Sequence, residues 1–440
     1  MPATRRLFGT DGVRGVAGSE ITAALALSLG RAAVLQSGVS APRVLVVRDT
    51  RESGEMLEAA IAAGLASAGA EVLLAGVLPT PAASLLIRRH RLDLGVVLSA
   101  SHNVYSDNGI KFFGADGFKL ADEREQAIEE HLEEEGLGAA SVGRIRTLPG
   151  AAEDYKRDLH HRFQGLRLDG LDVLLDCANG ATYAVAPQIF ERFGARVATI
   201  GVDPDGRNIN AGCGSTHIEA LAAAVLAGGH DLGFAFDGDG DRVLAVDGAG
   251  AIVDGDELLT LVALHLLEDG RLPGSGVAIT VMTNFAIVAA LEAAGINVVS
   301  TAVGDRYVLE ALRERGFALG GEQSGHIIEL GFAPSGDGIA SALLVLEALG
   351  GRDLRERVPV QKLPQRLVNV TVGDRTALAG ATAVHAAVER EAGALAGRGR
   401  VLVRPSGTEP LVRVMVEAPT AQEADAVCGR LVAVVEQELG

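Results

Sequence analysis

Positive charge is what this sequence has least of. Its 440 residues carry 39 Lys+Arg against 57 Asp+Glu, a formal net charge of -18, and no basic run anywhere along the chain. That excludes, as an expectation, a protein that binds by neutralising nucleic-acid phosphates or anionic lipid headgroups. Cysteine is equally sparse: Cys177, Cys213 and Cys428 are odd in number, far apart and form no C-x-x-C pair, which fits a reducing compartment. No apolar stretch reaches the roughly 18 residues of a membrane span, and no apolar signal core follows Arg5 and Arg6. Neither a G-x-x-x-x-G-K-[ST] loop nor a G-x-S-x-G elbow occurs, so a P-loop nucleotide enzyme and a serine hydrolase of that type are disfavoured. The expectation is a soluble cytoplasmic protein working on small molecules.

What is present is an α/β texture. At about 100 to 200 residues per domain the length allows two to four domains. Short apolar runs alternate with Ala/Leu-rich segments of helical period, as strands do when crossover helices cover them. Strands are expected at Val44 to Val47, Val72 to Leu74, Leu94 to Leu98, Val173 to Leu175, Val197 to Ile200, Leu232 to Phe236, Val277 to Val281, Val298 to Thr301 and Phe317 to Leu319. Beyond Pro359 and Pro364 the pattern becomes a smaller α+β unit. The expected domains are 1–150, 151–250, 251–365 and 366–440. Ligands of open α/β sheets bind beyond the carboxyl ends of strands, where three polar loops begin.

The most specific loop is Asp237-Gly238-Asp239-Gly240-Asp241-Arg242, directly after an apolar strand. Alternate spacing puts three carboxylates on one side, a donor set that suits Mg2+. An EF-hand fails, because Arg242 stands where Gly is needed and Gly248 where Glu is needed. Ser99-Ala100-Ser101-His102-Asn103 offers a serine beside a histidine, although a capping or turn serine reads the same way. Lys111 is one of only four lysines and lies in an apolar run, as a buried functional lysine or a snorkelling edge-strand one would. In Gly320 to His326, the alternate residues Glu322, Ser324 and His326 offer an acceptor, a hydroxyl and an imidazole to a polyhydroxylated ligand. Arg404-Pro405-Ser406-Gly407-Thr408, with Arg413 on the next strand, has the makings of a phosphate cradle. Cys213 reads as a loop cysteine, and His160-His161 as surface helix.

Taken in order, these loops resemble the α-D-phosphohexomutase superfamily over nearly the whole chain. The resemblance includes Phe8-Gly9-Thr10-Asp11-Gly12-Val13-Arg14-Gly15, Cys177 to Ala181, Asn208 to His217 and Val303 to Val308. The Gly-Glu-Gln-Ser-Gly-His wording of the third loop is most similar to the superfamily's bacterial phosphoglucosamine mutases. The resemblance implies three related α/β domains plus a C-terminal α+β domain of the TATA-binding-protein-like kind around a central cleft. It implies a phosphorylated Ser101 and one Mg2+ held by Asp237, Asp239, Asp241 and a phosphoserine oxygen. It further implies sugar contacts from Glu322 and Ser324, and a distal phosphate site at Arg404, Ser406, Gly407 and Thr408. The expected reaction interconverts glucosamine 6-phosphate and glucosamine 1-phosphate through a glucosamine 1,6-bisphosphate, with side activity on glucose phosphate. Lys111 is the expected general base with His326 second, His102 orients the phosphoserine, and Arg14 lines the site. The alternatives are a glucose- or mannose-phosphate mutase, a non-catalytic phosphosugar-binding protein and a Mg2+-dependent phosphatase. A homodimer is left open. One departure is Val104, where the family usually has proline, so the serine loop is expected to be less constrained.

Overall fold

The structure, a computed structural model, describes residues 7–9, 11–132, 142–357, 360–406 and 410–440. Strand-forming runs of Val, Ile and Leu build four sheets. The first has six strands in the order Val13–Val16, Asp107–Gly114, Leu94–Leu98, Arg43–Arg48, Glu71–Val77 and Arg144–Thr147. In the second, the order is Ile252–Val253, Val243–Asp247, Leu232–Phe236, Asp172–Asp176 and Arg196–Ile200. The third runs Asn297–Thr301, Gly276–Thr280, Leu319–Gly321 and Ile327–Glu329. Val44 to Val47 are all fully buried, the continuous apolar run of a strand covered on both faces. Burying such side chains stabilises by about 1.5–3 kcal/mol each.

The sheets are mixed, where crossover-linked parallel strands were expected. In each of the three, one strand lies parallel to its neighbour on one side and turns back as an antiparallel hairpin on the other. Leu94–Leu98 turns into Asp107–Gly114, Leu232–Phe236 into Val243–Asp247, and Leu319–Gly321 into Ile327–Glu329. The serine, aspartate and Glu322 loops are the three hairpin connections. Each therefore leaves the carboxyl end of a parallel strand and is anchored at both ends by a hydrogen-bonded ladder.

These three sheets belong to one compact unit, residues 1–282 with 296–358. A second unit comprises 283–295 with 359–440. Its antiparallel sheet, Gln365–Thr371, Leu411–Glu417 and Arg400–Pro405, is covered by helices Thr382–Leu395 and Ala421–Leu439. Val370, Val412, Val414, Leu395 and Leu431 form its core. The α+β character expected for the C-terminal segment is present. Among the described residues, no helix is long and apolar enough to cross a membrane.

Candidate active site

The serine and aspartate loops meet inside the first unit. Ser101 is 1% exposed, and its Oγ donates to Asp237 Oδ2 at 2.5 Å. Its φ of 51° is left-handed, a conformation that costs a non-glycine residue about 1–2 kcal/mol. Gly238 makes the approach possible: a Cβ there would lie 2.6 Å from the Ser101 carbonyl oxygen. The aspartate loop is held by backbone hydrogen bonds and by Asp237 Oδ1, which accepts from the Arg242 amide at 3.1 Å. The carbonyls of Asp239 and Gly240 accept from the amides of Thr80 and Gly338, the first residues of helices Thr80–His90 and Gly338–Leu349.

Asp237, Asp239 and Asp241 are all buried, with one ligand oxygen from each within 4.8 Å of the others. Burial, and the like charges of Asp241 and Asp239, push the Asp237 carboxyl well above the usual carboxylate range. Burial acts the same way on Asp239, but Lys111 at 2.9 Å and the Thr80 hydroxyl at 2.7 Å overcome it and hold that carboxyl low. Oδ1 of Asp239 and Oδ1 of Asp241 are buried with no hydrogen-bond partner. Two orphaned carboxylate oxygens amid three crowded acidic groups are the donor set a hard divalent cation satisfies, so the triad fits a metal ion.

Around this loop runs a chain of alternating charge. Lys111, 1% exposed on strand Asp107–Gly114, lies 2.9 Å from Asp239 and 3.2 Å from Asp11. Asp11 also takes Arg14 and Lys119, and Lys119 reaches on to Asp305 at 2.6 Å. Burial alone would lower the pKa of Lys111, but Asp11 and Asp239 outweigh it and raise it, so the side chain is an ammonium. His102, close to the Arg242 guanidinium at 3.2 Å, is pushed down to about 4 by burial, Arg242 and Arg14 and is neutral.

The third hairpin loop is bonded to the second, since the Val243 amide donates to the Gly325 carbonyl at 3.1 Å. Glu322 Oε1 accepts from the Gly304 amide at 3.0 Å, and the Ser324 hydroxyl lies 3.5 Å from its other oxygen. His326 is 3.5 Å from Asp241. Burial opposes its protonation, Asp241 and Asp305 more than compensate, and its pKa rises. The Gly336 amide donating to Nε2 places the ring proton of the neutral form on Nδ1, facing Asp241.

Ser101, His102, Lys111, Arg14, His326 and the three aspartates, all singled out from sequence, are thus linked in one network. Asp11, Arg242 and Asp305 lay within quoted motifs but were given no role, and Lys119 was missed. Lys119 carried a signal, being another of the four lysines. On the second unit, strand register sets Arg404 opposite Arg413, and burial together with the Arg413 charge lowers the Arg404 pKa. Ser406 is buried there, while Gly407 and Thr408 lie outside the described residues. Burial pushes Cys177 up to about 12 and Cys213 to about 11, so both stay thiols at neutral pH.

Four family models match the chain, all of phosphoglucomutase/phosphomannomutase: alpha/beta/alpha domain I at 5–138, domain II at 153–250, domain III at 254–370, and the C-terminal domain at 367–434. A curated protein of Streptomyces griseus named phosphoglucosamine mutase is 51% identical, covering 99% of this chain and 100% of its own. Another so named, from Moorella thermoacetica, is 50% identical, covering 97% of this chain and 98% of its own. Among solved structures, a phosphoglucomutase/phosphomannomutase family protein of Burkholderia thailandensis superposes with a TM-score of 0.83 at 23% identity, covering 98% of this chain and 97% of its own. The chain belongs to the phosphoglucomutase/phosphomannomutase family of phosphohexomutases, in its phosphoglucosamine mutase branch.

Proposed function

We propose that this chain interconverts glucosamine 6-phosphate and glucosamine 1-phosphate, an intramolecular phosphotransfer of the isomerase class that feeds UDP-N-acetylglucosamine and cell-wall synthesis. The observation that carries the reading is the 2.5 Å contact of Ser101 with Asp237, at the edge of a carboxylate triad with two unsatisfied oxygens. In the first half-reaction the P–Oγ bond of phosphorylated Ser101 breaks and a P–O1 bond forms, giving the 1,6-bisphosphate. In the second, the P–O6 bond breaks and Ser101 recovers a phosphoryl group, leaving the 1-phosphate. Phosphoryl transfer asks mainly for positioning and charge stabilisation.

Asp237, Asp239 and Asp241, with a phosphoserine oxygen, would hold Mg2+, which supplies positive charge to the transferring phosphoryl group. Neutral His102 orients the phosphoserine, and Arg14 holds the Asp11 end of the ion chain. Glu322 and Ser324 take sugar hydroxyls. Arg404, Ser406, Gly407, Thr408 and Arg413 are assigned the phosphate grip. Lys111 or His326 carries the proton of the accepting hydroxyl. Because its ion pairs hold Lys111 as an ammonium, Lys111 can accept a proton only after losing one to a leaving oxygen. Each expected domain contributes one part: 1–150 the serine loop, 151–250 the metal loop, 251–365 the sugar loop and 366–440 the phosphate grip. The setting is the cytoplasm, the partner a small phosphosugar and neither a nucleic acid nor a membrane, with a homodimer as the assembly to test.

Phosphorus NMR with Mg2+, trace sugar 1,6-bisphosphate and glucosamine 6-phosphate, glucose 1-phosphate or mannose 1-phosphate tests the reading. Exchange fastest with glucosamine is expected, and Ser101→Ala should abolish it. A preference for glucose or mannose moves the substrate, release of inorganic phosphate makes the protein a phosphatase, and no exchange makes it a binding protein.

A further inference from the structure

Among the described residues Arg51 is the largest fully buried side chain, at 1% exposure, and its side-chain hydrogen bonds go to Asp49 and the serine loop. All five of its guanidinium hydrogens have acceptors. Nε donates to Asp49 Oδ2 at 2.8 Å. Nη2 donates to the carbonyls of Ser101 and Asn103, both at 2.9 Å. Nη1 donates to the carbonyl of Asp107 at 3.0 Å and also to that of Val104. Four backbone carbonyls of one seven-residue stretch, 101–107, thus converge on a single planar fork. A lysine, with three donors on one nitrogen, cannot reproduce that pattern.

The neighbours of Arg51 extend the grip to both ends of the loop. Asp49 accepts from the Ser99 hydroxyl at 2.5 Å, and Ser99 Oγ accepts in turn from the Ser101 amide at 3.0 Å. Ser53 accepts from Asn108 at 2.8 Å. Three alternate residues, Asp49, Arg51 and Ser53, therefore hold the hairpin connection before, under and after Ser101. Without the guanidinium the Ser101 and Asn103 carbonyls would keep the Asn210 amide and that of Val104 the Asp107 amide, a looser hold than five hydrogen bonds from one planar group. The loop needs such a hold: Ser101 is in a left-handed conformation, and Val104 stands where proline would have stiffened the chain.

We propose that Arg51, braced by Asp49, is a positioning residue for the phosphoryl-carrying serine loop, supplying from beneath the constraint that proline at 104 would give along the chain. This rests on the reading of Ser101 as the phosphoryl carrier.

The test compares Arg51→Lys, Arg51→Lys with Val104→Pro, Asn210→Ala and Ser101→Ala in the full-length protein with Mg2+. A misplacement of about 1 Å costs about 10²-fold. Accordingly, R51K should lose about 10²-fold in kcat with KM for glucosamine 6-phosphate within about threefold, and adding V104P should recover part of the loss. Folded R51K with kcat within threefold of the parent would overturn the proposal, as would a loss that falls on KM alone. Should R51K not fold, Asn210 tests the same carbonyls from the other side, because its Nδ2 donates to Ser101 and Asn103 at 3.0 and 3.1 Å. N210A should lower kcat several-fold at constant KM, and an unchanged kcat would count against the proposal. If Ser101→Ala stays active, the underlying reading fails. If it is dead while R51K is not, only this inference fails.

Discussion

Two neighbouring parts of the site handle charge in opposite ways. The Asp237 to Asp241 hairpin crowds three like charges with ligand oxygens within 4.8 Å. The set Asp239, Lys111, Asp11, Lys119 and Asp305 alternates in sign, with contacts of 2.9, 3.2, 2.5 and 2.6 Å. The first arrangement leaves one oxygen of Asp239 and one of Asp241 buried without a hydrogen-bond partner. The second is complete as it stands and serves to hold groups in place. Asp239 belongs to both: Oδ2 takes Lys111 and Thr80, while Oδ1 has no partner.

Breaking the shared residue should do most damage. Asp239→Asn is expected to cut kcat by about 10² to 10³-fold, the scale of removing one oriented electrostatic group, and to shift the Mg2+ midpoint in activity titrations by at least about tenfold. Loss of activity with an unmoved midpoint would put Asp239 in the alternating set alone. Next comes Lys119→Met, which strips the half-buried carboxylates of Asp11 and Asp305 of their common cation. Urea unfolding should show a loss of about 2 kcal/mol, the scale of hydrogen bonds between charged groups, with Lys119→Arg recovering much of it and the Mg2+ midpoint unchanged. A shift as large as that of D239N would mean that the two parts are not separable.

Smaller effects sharpen the contrast. Asp237→Asn relieves repulsion among the acids, so in EDTA it should melt higher than the parent by about 1 kcal/mol, the usual scale of a single substitution. Excess Mg2+ should reverse the order, since ligand binding to the parent at 100 times its Kd adds about 2.7 kcal/mol. Identical melting in EDTA would show that the like-charge crowding costs nothing. Asp337 caps helix Gly338–Leu349, takes the Tyr155 hydroxyl at 3.0 Å and is pushed up to about 6 by burial. Its carboxyl binds a proton more readily folded than unfolded, where the pKa is about 3.9. Its contribution is therefore full below pH 4 or so and is lost as pH rises through about 6. Asp337→Asn keeps a capping side chain and should flatten the fall in stability over that window, with little change in activity.

The reading from sequence was strongest where structure is local. Leu94–Leu98 and Leu232–Phe236 stand out because an apolar run ends abruptly in polar residues, and the chemistry begins at that break. Helix Gly338–Leu349 was not expected: nearly all its residues are buried, so it has no polar face to reveal a period. The strand expected at Phe317 to Leu319 lies instead at Leu319–Gly321. Two glycines disguise it, and Gly320 is glycine because a Cβ would meet the Ala278 carbonyl at 2.7 Å. Ser101 and the aspartates were legible as motifs. The Lys119 to Asp305 pair spans 186 positions and the grip of Arg51 on the serine loop 50 to 56, separations that no local pattern encodes.

The three hairpin connections occupy equivalent places in three sheets. Each starts and ends on paired strands, so its residues can be exchanged, lengthened or shortened while the ladder on either side stays intact. Division of labour follows from that geometry. The third hairpin is nevertheless tied to the second, since the Val243 amide donates to the Gly325 carbonyl at 3.1 Å and His326 lies 3.5 Å from Asp241. A change within Glu322 to His326 is therefore transmitted to the carboxylate loop, and the two hairpins are free to vary only as a pair.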